Sequence, residues 1–147
     1  MVKQIIKELT QVFWNGEWQL EPTCRQTKHF FPTLRPKMSF DLVRSTRNTY
    51  STLVQIMTGH NYMNRHQNLI DTTNGVEGDG PQCTLCGDGE MSTEHVLTEC
   101  VALAQLREKH FGIQVLAPPF ISLSKGALIG FLREAPIDAV RFFLESE

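Results

Sequence analysis

Apolar residues along the first fourteen positions recur at helical spacing. Ile5, Leu9, Val12 and Phe13 share one face of a helix predicted from about Val2 to Phe13 or Trp14. Asn15-Gly16 is expected to break it. The three prolines of Pro22–Pro36 predict an extended or looped stretch, with a short strand at Lys28–Phe31 as an option. Ser39 suits the N-cap of a helix beginning at Phe40, with Asp41 in its first turn. Leu42, Val43, Tyr50, Leu53, Val54 and Met57 continue an apolar stripe across a break or turn near Ser45–Asn48, and Gly59 fits the position just past the helix end. A shorter helix, about Tyr62–Ile70, is expected to bury Met63, Leu69 and Ile70.

Residues 71–81, DTTNGVEGDGP, read as a polar connector. Beyond it, Ser92 or Thr93 can cap a helix carrying Val96, Leu97, Leu103, Leu106 and Phe111. Ala117-Pro118-Pro119 ends that segment, and a helical pair follows at roughly Ser124–Arg133 and Pro136–Leu144. The fold class read from this pattern is mainly α: a small helical domain with an embedded zinc knuckle. It divides into an N-terminal helical region with a basic segment, residues 1–75, and a knuckle with C-terminal helices, residues 76–147; the two are expected to form one compact unit.

Composition changes this picture little. With 147 residues, 41% hydrophobic and 20% charged, the chain has the makeup of a globular protein. No apolar run reaches the roughly 20 residues of a membrane span, and the N-terminus does not read as a secretory signal. An intracellular setting, nuclear or cytoplasmic, without a membrane partner is the expectation. Charge is more informative. Residues 22–70 hold seven bases against Asp41, a balance of +6, whereas residues 71–147 carry −7. Arg25, Lys28, Arg44, Arg47 and Arg65 in the basic stretch are candidate phosphate contacts. The other reading is a solvated face that happens to be basic. By this count the nucleic-acid surface lies away from the knuckle, which sits in the acidic half.

The strongest chemical signal is Cys83, Cys86, His95 and Cys100, in the order C-x2-C-x8-H-x4-C. Two cysteines separated by two residues let backbone amides support both sulfurs on one ion, and three thiolates with one imidazole make a closed structural Zn2+ site. A Cys83–Cys86 disulfide is the alternative, but it leaves His95 and Cys100 without a role. On an ideal helix His95 and Cys100 would point about 140° apart. Their sharing an ion therefore requires either a distorted helix or a histidine that precedes its regular part. His60, His66 and Cys24 are weaker candidates for ligation, and Cys24 is expected to be a small buried residue. A saturated zinc has no open position for activating water. Phosphate loops and nucleophile motifs are also lacking, so a non-enzymatic role with no small-molecule substrate is expected.

These signatures in this order resemble the C-terminal region of Jockey-like non-LTR retrotransposon polyproteins, downstream of reverse transcriptase and RNase H. The resemblance rests on Trp14 with Trp18, on Cys24 through Lys28, on Thr58-Gly59-His60 and on Asn64-Arg65-His66. It continues through the metal motif, with Thr93-Glu94-His95-Val96-Leu97, Leu103 and Arg107, and so runs over nearly the whole chain. It implies a nucleic-acid-binding accessory to reverse transcription that contacts element RNA or target DNA, with the reverse transcriptase portion as a further partner. The polymerase aspartates and the RNase H carboxylates are not in this chain. A protein-interaction scaffold, in which the acidic half docks a basic partner, stands as the other function class. An independent protein, a fragment and a host-co-opted product all remain open.

Overall fold

The protein is seen here as a computed structural model that describes residues 1–34, 46–120, 123–138 and 140. Among the described residues there are seven α-helices and no named strand: α1 (Val2–Leu20), α2 (Arg25–Phe30), α3 (Arg47–Thr58), α4 (Asn64–Thr73), α5 (Thr93–Thr98), α6 (Ala104–Phe111) and α7 (Lys125–Glu134). The mainly helical class expected from the apolar pattern is therefore what is observed. The first part of the helix predicted from Phe40, including Ser39 and Arg44, and most of Pro136–Leu144 lie outside the described residues.

Three helices start where short polar side chains can accept an otherwise unpaired amide. Thr46 accepts from Thr49 N, Ser92 from His95 N and Ser124 from Ala127 N. Thr46 thus explains the turn anticipated near Ser45–Asn48. At the other end of α3, Gly59 has φ +78°, and a side chain there would also collide with Gln26 Oε1 at 2.9 Å. Gln26 Nε2 in turn donates to the carbonyl of Ile56, tying α2 to α3.

Two local expectations are overturned by tertiary contacts. Asn15-Gly16 does not end the first helix, which continues to Leu20. Asn15 Oδ1 accepts from Leu34 N at 2.7 Å, so the asparagine is used on the helix side rather than in a turn. The stretch after Pro22 is not extended: Arg25–Phe30 forms α2, its entry set by Cys24 in the left-handed region at φ +58°. Its last residue, Phe30, meets Phe120 edge-on with ring centroids 5.0 Å apart.

The core runs from Phe30 and Phe31 through Leu53, Ile56 and Met57 of α3 to Met63, Met91, Val96, Leu97 and Leu103. It continues through Leu116 and Phe120 to Leu128, Phe131 and Leu132 of α7. Phe111 of α6 closes on Phe131 at 4.9 Å. Met63 is buried as expected, but Leu69 and Ile70 are exposed, because α4 places them on its outer face. Helix α1 contributes no buried residue; its apolar face points to solvent.

Candidate metal centre

A tight hairpin carries the first two cysteines. Met91 N donates to Pro81 O at 2.8 Å, Cys83 N to Gly89 O at 3.0 Å and Gly87 N to Cys83 O at 2.9 Å. These bonds curl the backbone so that the side chains of Cys83 and Cys86 converge. Gly89 has φ +67°, and a Cβ there would press on His95 Nδ1 at 3.3 Å, so only glycine lets the hairpin lie flat against the imidazole.

Histidine and the last cysteine come from the following segment, which is not one continuous helix. Helix α5 ends at Thr98, and the carbonyl of His95 accepts from both Glu99 N and Cys100 N, at 3.0 and 2.9 Å. Cys100 then takes φ −54° and ψ 112° before a 3-10 turn at Val101–Leu103. That break removes the 140° separation of an ideal helix and brings both side chains to one point. Of the two arrangements left open by the spacing, the distorted helix is the one found.

The donor atoms of Cys83, Cys86, His95 and Cys100 all lie within 4.8 Å of one another. Cys83 Sγ is 4.0 Å from Cys100 Sγ, and Cys86 Sγ is 3.3 Å from His95 Nε2. A tetrahedral zinc with ordinary bond lengths sets sulfur–sulfur and sulfur–nitrogen separations of about 3.8 and about 3.5 Å. The residues present therefore fit the ion, with imidazole Nε2 as the nitrogen donor. Three of the four residues are buried and Cys86 is half-buried. All four cysteines of the chain are free thiols, so no Cys83–Cys86 disulfide forms. His60 and His66 are outside the cluster and stack edge-on on each other at 5.2 Å. Burial, His60 and Arg65 together hold His66 below the usual imidazole range. Cys24 is exposed rather than buried, because it makes the left-handed turn into α2 instead of packing.

The surroundings make the thiols unequal. The backbone at Asp88, whose N–H points to Cys86 Sγ at 3.4 Å, brings Cys86 down to about 7 despite some burial; His95, Cys83 and Cys100 assist. Cys100, shut away from water and beside two other sulfurs, is pushed up to about 12. An ion bound here would hold Cys100 as a thiolate that the surroundings alone disfavour. Beyond the ligands, His95 Nδ1 faces Glu99 Oε1 at 3.4 Å, the arrangement that fixes a ligating imidazole's tautomer.

Arg107 is the outer partner that the residue pattern did not reveal as such. Its guanidinium is buried, with Nε donating to Gln114 O at 2.6 Å and Nη1 to Val96 O at 3.1 Å. Burial holds the group below its ordinary value, and the negative field of Cys100 opposes that shift. A divalent ion with three thiolates carries one net negative charge, and Arg107 is placed to offset it. In the sequence it stood out only as one of the residues that carry the resemblance.

A groove of about 1210 Å3 opens beside the centre, lined among others by Arg25, His60, Arg65, His66, Glu90, Glu94, His95 and Glu99. Two of the five candidate phosphate contacts, Arg25 and Arg65, therefore share one surface that reaches a metal ligand. That corrects the separation suggested by charge counting: Arg65 N bonds Met91 O at 3.1 Å, and its Nε pairs with Glu90 Oε2 at 3.0 Å. Lys28 and Arg47 do not line the groove. The Lys28 amine bonds the carbonyl of Glu21 and lies 5.5 Å over the Trp18 ring, while Arg47 is exposed at the start of α3. Compared with known proteins, the chain matches no family model, no curated protein and no solved structure.

Proposed function

We propose that this chain is a zinc-stabilised nucleic-acid-binding accessory module, non-catalytic on its own. The reading draws on the resemblance of its motif order to the C-terminal part of Jockey-like retrotransposon polyproteins. The observation that carries the zinc half is the convergence of Cys83, Cys86, His95 and Cys100 within 4.8 Å. With all four ligand positions supplied by the protein, the metal serves folding rather than water activation. The nucleic-acid half is supported by the +6 balance of residues 22–70 and by Arg25 and Arg65 on one groove. In this reading Arg25 and Arg65 hold phosphates from the groove, and Lys28, Arg44 and Arg47 are further candidate contacts on the strength of the basic stretch alone.

The test is binding of the zinc-loaded chain to RNA and to single-stranded DNA at two salt concentrations. Affinity should fall steeply with salt, with a slope set by the number of phosphates neutralised. Arg25→Glu with Arg65→Glu should weaken binding to every sequence tested. Binding that is absent, or indifferent to both reversals, defeats the nucleic-acid half and leaves the zinc half standing.

The second reading, a scaffold for a basic protein partner, draws on Glu90, Glu94 and Glu99 in the same groove. Capture of a basic polypeptide that is lost on reversing those three glutamates, with no RNA or DNA binding, would select it.

A further inference from the structure

Two imidazoles decide the sign of charge in the groove beside the metal centre. Arg25 and Arg65 line it against Glu90, Glu94 and Glu99, which leaves one net negative charge while His60 and His66 are neutral. That sign repels a phosphate backbone. Protonating both rings turns the lining to one net positive charge. Histidine is the side chain whose ordinary range lies close enough to neutral pH for such a reversal. The titratable and charged groups around the pair are Cys24, Arg25 and His29 from the α2 side, Arg65 from α4, Glu90 from the hairpin, and Glu94, His95 and Glu99 from the α5 side. Of these, Glu90 is paired with Arg65, Glu99 faces His95 of the metal cluster, and His29 meets Phe120 edge-on at 5.7 Å.

The fold brings the positive groups together. Gln26 of α2 packs on Gly59, so Arg25 and His60 flank a single contact between helices. His60 meets His66 edge-on at 5.2 Å, and Arg65 precedes His66 in the first turn of α4. Among the described residues no carboxylate pairs with His60, His66 or Arg25. Like charges gathered without a counter-ion repel, and an anion placed among them offsets that repulsion. We infer that the groove binds the phosphodiester backbone of a nucleic acid together with a proton, held on His60 and His66 beside Arg25. The inference rests on the nucleic-acid reading above and adds to it two contacts and a dependence on pH. Burial, then the charges of His60 and Arg65, hold His66 below the usual imidazole range in the free chain. A phosphate beside the ring opposes the two charges and favours the imidazolium. His66 therefore titrates higher in the complex than in the free chain, and binding takes a proton from solvent. Affinity rises as pH falls through the value in the complex and levels off below the value in the free chain.

The probe is oligothymidylate, whose phosphodiesters carry a fixed charge across the neutral range. Its binding to the zinc-loaded full chain is measured at about pH 6 and about pH 8 at one salt concentration, with zinc content checked at both. About tenfold tighter binding is expected at the lower pH. His60→Gln with His66→Gln should remove most of that difference and leave helical circular dichroism intact, since His60 is exposed and His66 half-buried. Sulfate, an inorganic anion of fixed charge, probes the same site without nucleic acid. It should move the titration of the His66 ring protons, followed by NMR, to higher pH. Equal oligothymidylate affinity at the two pH values, or a pH dependence unchanged in the double variant, overturns the inference and leaves the nucleic-acid reading standing. Absence of oligothymidylate binding at both pH values defeats that reading. In that case a His66 titration that sulfate still raises upholds the proton-linked anion site, and one that sulfate leaves unmoved overturns it as well.

Discussion

Arg107 is the largest of the fully buried side chains in the described protein, and no carboxylate pairs with it among the described residues. Taking a guanidinium out of water is costly unless its hydrogen bonds and charge are answered. Two carbonyls, Val96 O and Gln114 O, answer the hydrogen bonds, and a zinc ion held by three thiolates would answer the charge. Replacing Arg107 by Met should therefore weaken zinc binding by about 10–100-fold, in the range of other outer-sphere partners. Competition with a chromogenic chelator measures it, and Arg107→Lys should recover part of the loss by keeping the charge. Equal zinc affinity in the wild type and the Met variant would show that the guanidinium serves only the backbone carbonyls. Cys86→Ser should remove the ion altogether, taking the metal content from one zinc per chain to none.

Helices α6 and α7 are held at their ends by Glu134. Its Oε2 is 2.6 Å from Lys109 Nζ and its Oε1 is 3.1 Å from His110 Nε2. The hydrogen bond from Lys109, followed by the charges of Lys109 and His110, holds the Glu134 carboxyl below the usual carboxylate range. A carboxyl whose folded pKa is depressed adds stability that is complete above its unfolded pKa and is lost as pH falls through the folded one. The contribution is small, since both partners are substantially exposed. Glu134→Gln should lower stability slightly at neutral pH and flatten the decline on the acid side of the carboxylate range. Urea midpoints at several pH values would show this; parallel curves for wild type and variant would contradict it. The elements also show how much of the fold was readable. Ser92 and Gly59 are short-range signals, and the helix ends they mark are where the pattern placed them; α3 begins inside the turn expected near Ser45–Asn48, at a cap, Thr46, that the pattern did not single out. α2 and the far end of α1 were misread because Phe30 finds Phe120 and Asn15 finds Leu34, partners remote in sequence.

At the scale of the whole molecule, the metal hairpin is bound into the helical body. Asn61 Nδ2 donates to Thr93 Oγ1 at 2.8 Å, Asn64 Nδ2 to Gln82 O at 2.7 Å and Arg65 N to Met91 O. A structural zinc contributes on the order of 10 kcal/mol to folding, a quantity comparable to the stability of a whole domain. Chelation should consequently loosen α4 as well as the hairpin and α5, a spread that hydrogen exchange can follow residue by residue. Helix α1, whose side-chain hydrogen bonds to the body among the described residues run to residues 31–34, should keep its protection pattern. Loss of protection confined to the hairpin would mean that these three hydrogen bonds do not couple the units.

The linear order of residues was enough to determine the helical class, the Ser92 cap, the Gly59 helix end and the four residues arranged to hold a metal ion, because each depends on spacing within a few turns of chain. It also showed a helix with an apolar stripe at its start. Only the tertiary structure decided that this stripe faces outward, that α5 breaks before Cys100, and that Arg107 lies buried on the Val96 carbonyl. It also decided that Arg65 reaches the hairpin through Met91 and Glu90, joining regions that charge counting had kept apart. Those outcomes depend on which distant surfaces meet, and a face can be recognised as apolar from its own residues without revealing what, if anything, will cover it.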